Sequence, residues 1–496
     1  MPRASYRAGP KKVTSGGMSP AVPRSRLIPL VVACALFMEN LDSTVLATAL
    51  PAIARSLGEN PLHLNLAITS YLVSLAVFIP ISGWIADRYG ARRVFCTAIL
   101  IFTGGSIACG FANSFWTFVL ARVAQGLGGA MMVPVGRLVL LRSVSKAELV
   151  SAMAFVTIPA LIGPIVGPPL GGFLTTYLSW RWIFWINVPI GVLGIALALW
   201  LIEDLREEEV PPLDWRGFAL TALGLSAVMM GFETIGRDML PAGIVAALLA
   251  GGAVALALYV RHALRAAHPV LDLSLLGIRT FRAAVLGGFL FRLGVGAIPF
   301  LLPLMLQVGF GMNPLQSGLL TFAAAVGAIT MKMTAKPILR RFGFRDVLTV
   351  NAFISAAFIA ATGLFEAATP APLILAVLLL GGFFRSLEFT SINALAYADV
   401  PRERMSRATS FASMAQQLSL SVGVGTGALI LHIVMSLRGG AATAAGDFAP
   451  AFFVVAGISA LAAFVFWRLP PDAGAEVAGR LPAAVASESL SASDRP

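Results

Sequence analysis

The sequence predicts an all-α membrane protein of fourteen transmembrane helices arranged 6 + 2 + 6, and three observations carry that prediction. Of its 496 residues, 58% are hydrophobic and only 12% are charged, about half the charged share of a soluble globular protein. Apolar runs of roughly 20 residues, the length that crosses a bilayer core about 30 Å thick, recur along the whole chain. Lys and Arg gather in alternate connections between those runs, as the positive-inside rule requires. A transmembrane barrel would show short alternating segments instead, and these are absent.

In chain order the runs lie near 27–50, 65–86, 94–112, 115–140, 150–178, 182–202, 216–235, 241–260, 281–306, 315–339, 346–366, 371–396, 407–436 and 448–468. With a cytoplasmic N-terminus, 26 of the 36 Lys and Arg fall on the cytoplasmic side. Four fall outside: Arg55, Arg181, Arg237 and Arg438. The bias places both termini in the cytoplasm and accounts for a net charge of +12 that would otherwise suggest nucleic-acid binding.

The predicted organisation is a disordered basic N-terminus (1–26), a six-helix bundle (27–202), two linker spans (203–265), a second six-helix bundle (266–470) and a disordered Ala/Ser-rich cytoplasmic tail (471–496). A weak internal repeat supports the two halves. GWIADRYGARR follows run 2, AKPILRRFGFRDV follows run 10, and both put a Gly and a basic cluster at a cytoplasmic turn. Paired halves around a central site are how many secondary transporters achieve alternating access.

Enzyme chemistry finds no support. Cys34, Cys96 and Cys109 are isolated in apolar runs and read as small hydrophobes. The four histidines form no metal-ligand set, no cofactor motif is present, and no signal-peptide pattern opens the chain.

The informative residues are polar ones in apolar surroundings. In the loop 83–93, Gly83 permits close helix approach and Gly90 a tight turn. Asp87 can pair with Arg88, Arg92 or a helix N-terminus opposite, locking the cytoplasmic face; Arg93 completes the basic cluster. A purely topogenic cluster would need the arginines but neither the Asp nor the glycines. In run 4, ARVAQGLGGAMMVP sets Gln125 on the same face as Arg122. Arg122 either snorkels to the outer headgroups or is a buried cation that tunes a carboxylate. In run 5, Gly163, Gly167 and Gly171 recur every four residues, with Gly172 beside the last, and give a smooth packing face. Pro164, Pro168 and Pro169 remove donors and bend that helix.

The loop closely resembles motif A of the major facilitator superfamily, R-x-x-Q-G its motif B, and the Gly/Pro pattern its motif C, which marks proton-coupled exporters. With LDSTVLATALP and SWRWIFWINVPIG, the stretch 27–470 resembles the fourteen-span drug:proton antiporter family of the EmrB/QacA type. GGAMMVPVGRL and the Arg and Lys of runs 9 and 10 look most like its MdtD/HsrA-like bacterial branch. The resemblance implies a major facilitator fold in a bacterial inner membrane, exporting drugs or other small molecules against protons. EmrB-type pumps imply a periplasmic adaptor, which nothing in this chain encodes; the chain itself is expected to act as a monomer.

Run 1 carries Glu39 about 18 Å deep and Asp42 about 22 Å deep, on one helix face. A carboxylate there is costly unless paired or functional. Two such neighbours cannot both ionise cheaply, and a carboxyl that exchanges a proton is what a proton-coupled carrier needs. Asp42 matches the family's span-1 Asp; Glu39 has no counterpart in that motif. Run 12 holds Arg385 and Glu388 at i and i+3, read first as an intrahelical ion pair and second as a cavity-lining site. Arg292 lies about 15 Å deep in run 9, and Lys332 shares a face of run 10 with Lys336, which can snorkel. Arg137 is near enough to the inner surface to be discounted as a site. The deep charges therefore show a slight basic excess, which permits an anionic or zwitterionic cargo such as a citrate-like acid. Set against proton-driven efflux are thus an organic-anion exporter and, from another class, a non-transporting membrane sensor or scaffold, which would favour a soluble domain that this sequence lacks.

Overall fold

The computed structural model describes residues 24–59, 61–144, 148–203, 210–235, 240–312, 314–439 and 445–480. Every regular element among them is helical. The first part of the chain forms α1 (Arg24–Leu57), α2 (Pro61–Phe78), α3 (Ser82–Tyr89), α4 (Ala91–Phe111), α5 (Phe115–Ser143), α6 (Leu149–Tyr177), α7 (Trp182–Trp185) and α8 (Asn187–Leu201). A hairpin of α9 (Trp215–Thr234) and α10 (Ala242–Ala263) follows. The remainder forms α11 (Arg279–Leu304), α12 (Pro314–Gly363), α13 (Ala371–Leu395), α14 (Met405–Arg438), α15 (Phe448–Ala460), α16 (Ala462–Trp467) and the short α17 (Ala475–Ala478). Among the described residues, 12 helices are long and apolar enough to cross a membrane.

Two groups of helices pack internally, α1 on α6, α5 and α8 with α4 on α5, and α11 on α14 and α15 with α12 on α13. The α9–α10 hairpin leans on α2 and α14, and α10 is mostly exposed. Small residues set its spacing: a Cβ on Gly224 would lie 2.8 Å from the Leu256 side chain. Leu100, Leu120, Leu193, Leu199 and Val254 stay exposed on the outside of the molecule. In water such a belt would drive aggregation; in hydrocarbon it is the matching surface.

The turn glycines of the weak repeat adopt the same conformation. Gly90 (φ 91°, ψ 131°) separates α3 from α4, and Gly343 (φ 80°, ψ 167°) breaks the long α12. Positive φ with extended ψ is essentially closed to residues bearing a Cβ. The RYGAR and RFGFR turns are therefore structural equivalents, which strengthens a signal that was faint in sequence.

Order reaches beyond the expected start of the tail at 471. Pro471–Arg480 is described, Val477 and Ala478 are buried, and α17 packs on α6 and α12. The expectation rested on the Ala/Ser-rich composition of 471–496 as a whole; at its start, small apolar residues let a short turn dock closely. Residues 1–23 and 481–496 lie outside the described residues.

Candidate functional site

α5 begins at a capping box, in which Ser114 accepts from the Thr117 backbone N–H and the Thr117 hydroxyl accepts from the Ser114 N–H. Two turns on, Arg122 points inward beside Gln125, and both are buried. Snorkelling is excluded, because the Arg122 Nη1 donates to Asp42 Oδ2 at 2.6 Å and to Gln125 Oε1 at 2.6 Å. Gln125 Nε2 in turn donates to Asp42 Oδ1 at 2.8 Å. The Arg122 guanidinium also stacks 4.5 Å from the Tyr71 ring centroid on α2. Asp42 is 1% exposed.

A third donor comes from α8, which sequence reasoning missed. Asn187 Nδ2 donates to Asp42 Oδ1 at 3.3 Å and to Ser106 Oγ at 3.0 Å, and Ser106 donates to the Phe184 carbonyl at 2.8 Å. Asn187 follows the aromatic residues of SWRWIFWINVPIG, a composition that suits a membrane interface. The available signal was a lone amide inside an apolar run. The arrangement holds a charged carboxylate in a dry site with three donors, and one proton on Asp42 would cancel the ion pair and its strongest bonds.

The stretch resembling motif C braces the same helix from behind. A Cβ on Gly163 would lie 2.9 Å from the Leu41 backbone N, and one on Gly167 would run into the Thr44 hydroxyl. α6 thus approaches α1 at backbone distance on either side of Asp42. Gly171 is buried farther along α6; Pro164, Pro168 and Gly172 lie on this helix outside the residues whose side chains are described.

The loop resembling motif A ties α3 to α14. Asp87 accepts from Arg142 at 3.2 Å and from the hydroxyl of Ser406 in the first turn of α14. The first turn of the helix opposite, α14, thus reaches Asp87 through Ser406. The Gly83 N–H donates to Ser410 Oγ at 2.8 Å, and a Cβ there would lie 2.5 Å from the Ser406 carbonyl oxygen. Arg92 donates to the Ile202 carbonyl at 3.3 Å, whereas Arg88 and Arg93 are exposed.

In the second half, Arg292 donates to Asn393 Oδ1 at 2.8 Å and lies 5.0 Å from the Phe389 ring centroid. Lys332 donates to Thr390 Oγ1 at 2.5 Å, and Lys336 is exposed. The expected Arg385–Glu388 ion pair does not form. Glu388 instead accepts from Asn351 on α12 at 2.8 Å, and Arg385 turns back to within 3.6 Å of where a Gly381 Cβ would be. Helical side chains lean toward the N-terminus, so a cation that precedes its acid points away from it. Arg137 proves more than peripheral: it reaches from α5 to Ser413 at 3.4 Å and Gln416 at 2.9 Å on α14.

Comparison with known proteins places this geometry. The family model described as Major Facilitator Superfamily matches residues 32–424 and 284–492. The chain belongs to the major facilitator superfamily. Curated relatives that carry the name multidrug resistance protein MdtD include one from Salmonella paratyphi A, 39% identical over 450 residues, and one from Klebsiella pneumoniae strain 342, 40% identical over 454. These alignments cover 89% and 90% of this chain and 94% of each relative. Among solved structures, the human organic anion transporter MFSD10 is similar with a TM-score of 0.65 at 16% identity, covering 90% of this chain and 100% of that one. The proton:xylose symporter XylE gives 0.62 at 14% identity, with 91% and 97% covered. At those identities the likeness is one of fold. This superfamily member is a membrane transporter of the MdtD-like branch and not an enzyme.

Proposed function

We propose that the protein is a proton-coupled antiporter that exports drugs or other small molecules from the cytoplasm by alternating access. The observation that carries this reading is Asp42, dry, ion-paired to Arg122 and bonded to Gln125 and Asn187. A proton arriving at Asp42 competes with Arg122, and α6 packed on α1 through Gly163 and Gly167 transmits the change to the bundle. The cytoplasmic seal at Asp87, Gly83 and α14 belongs to an outward-facing state.

The topology we assign is fourteen spans, 6 + 2 + 6. α12 breaks at Gly343 within a stretch of 48 residues, and the apolar 29-residue α6 adds another crossing to the 12 helices. Both termini are cytoplasmic in a bacterial inner membrane, with α9 and α10 as linker spans. Energised inverted vesicles test the function. Adding a panel of cationic dyes should collapse the pH gradient only where the protein is present; dye transport indifferent to a protonophore would overturn the reading.

A second reading has its own observation. Among the described residues, the deep cations Arg292 and Lys332 meet neutral partners, Asn393 and Thr390. An organic anion such as citrate would supply the missing charge. Arg292→Ala should then abolish citrate transport while sparing cationic dyes, and equal loss of both would remove this reading.

A further inference from the structure

The repeat that pairs Gly90 with Gly343 also pairs Arg92 with Arg345, and these two arginines make equivalent bonds. Arg92 donates to the Ile202 carbonyl at the end of α8 at 3.3 Å, and Arg345 donates to the Trp467 carbonyl at the end of α16 at 3.2 Å. The likeness stops there. The same alignment sets Lys336 in the place of Gly83 and Arg340 in the place of Asp87. In the first half those positions hold α14 of the second, through Ser410 and Ser406. In the second half, Lys336 brings a long side chain where backbone must approach, Arg340 has no acceptor to offer, and both are exposed. The helix that answers to α14, α6 as the fifth run of its half, begins with buried Leu149 and Val150.

Chain beyond α16 occupies this side instead. A Cβ on Gly474 would lie 2.8 Å from the Phe344 ring, and one on Gly343 would run into the Arg480 guanidinium. Both ends of the segment 471–480 therefore lie against the Gly343 turn of α12. Between them, the single turn α17 packs on α6 of the first half as well as on α12. Val477 and Ala478, each 1% exposed, share one apolar cluster with Leu149, Val150 and Met153 of α6 and Phe344 of α12. Parting α6 from α12 would expose these side chains, and burial of apolar surface opposes that.

We infer that residues 471–480 are a strap, carried by the second half, that clasps α6 of the first and holds the cytoplasmic side shut. It does with apolar burial on one side what Gly83 and Asp87 do with hydrogen bonds on the other. The strap continues directly from α16 and is seated on the Gly343 turn, so it moves with the second half. Opening toward the cytoplasm then peels Val477 and Ala478 from α6, and closing docks them again. The two contacts together balance the gate, one from each half. The inference rests on the alternating-access reading and on the cytoplasmic placement of this end, and not on the identity of the cargo.

Shortening the otherwise complete chain tests it. Spin labels at Tyr89→Cys, at the end of α3, and Glu403→Cys, just before α14, are both exposed and report the gate at the other contact between the halves. The protein is held in nanodiscs with its three native cysteines replaced by Ala. A chain stopped after Arg480 keeps the strap and should give the same distance distribution as the complete one. A chain stopped after Pro470 should raise the open population about fivefold or more. Val477→Asp, which puts a charge into the apolar contact, should do the same, and Val477→Ala should shift the population the same way by less. Unchanged distributions in the Pro470 stop and in both Val477 variants overturn the strap. Equal opening by the Arg480 stop also overturns it, because the effect then belongs to 481–496. Gly83→Ala is the separating control. A gate that opens with Gly83→Ala but not with loss of the strap defeats this inference and leaves alternating access standing, whereas one that answers to neither overturns both.

Discussion

Arg122 and Asp42, 80 residues apart in sequence, meet in a 2.6 Å ion pair with almost no solvent access. One guanidinium nitrogen serves both Asp42 and Gln125 while the planar group lies 4.5 Å from the Tyr71 ring centroid, a stacked geometry that a lysine ammonium does not reproduce. Arg122→Lys therefore keeps the charge but should cut gradient-driven efflux about tenfold or more, measured as initial rates in vesicles. Dye efflux at the wild-type rate would show that charge alone suffices.

Asn187 makes the same point from the third side. Removing a hydrogen bond to a charged group costs about 1.5–3 kcal/mol. Asn187→Ala should accordingly slow proton-driven exchange about tenfold while leaving membrane insertion unchanged. The check is transport normalised to the amount of protein reconstituted.

At the proposed seal between α3 and α14, Gly83→Ala places a methyl group 2.5 Å from the Ser406 carbonyl oxygen. Backbone on both sides leaves little room to relax, so α3 and α14 must part. Cysteine cross-linking between α3 and the first turns of α14 should fall several-fold in this variant, and efflux with it. Undiminished cross-linking would mean that the seal tolerates the methyl.

Outside the membrane, Asp272 ties the segment after α10 to the start of α14. Burial alone would raise its carboxyl's proton affinity, but bonds from Ser274 and Arg404 outweigh burial and hold it below the usual carboxylate range. A depressed native value contributes stability above the unfolded value, and that contribution disappears as pH falls through the native one. Asp272→Asn should lower the melting temperature by about 1–2 °C at pH 7. The gap should close below about pH 4; a gap independent of pH would place the effect elsewhere.

Much of this site could be read from sequence because charge in an apolar run is conspicuous. Asp42, Arg122 and Gln125 stood out by depth and by the i, i+3 spacing that puts Arg122 and Gln125 on one face, and the structure joins them. Asn187 did not, since a neutral amide beside tryptophans resembles an anchor and its partner lies 145 residues away. Arg137 was discounted on depth, a measure blind to the opposite half across the interface. The Arg385–Glu388 reading failed for a related reason: spacing places two side chains on one face, while the direction in which they lean decides whether they touch. Helical crossings were legible from hydropathy, whereas the equivalence of Gly90 and Gly343 needed backbone angles.

The most direct test of the account is Asp42→Asn in proteoliposomes under an imposed pH gradient, followed with ethidium and with citrate. The account predicts that gradient-driven accumulation disappears for whichever of the two is cargo, while exchange of that cargo down its own gradient persists. Full gradient-driven transport by Asp42→Asn would contradict it.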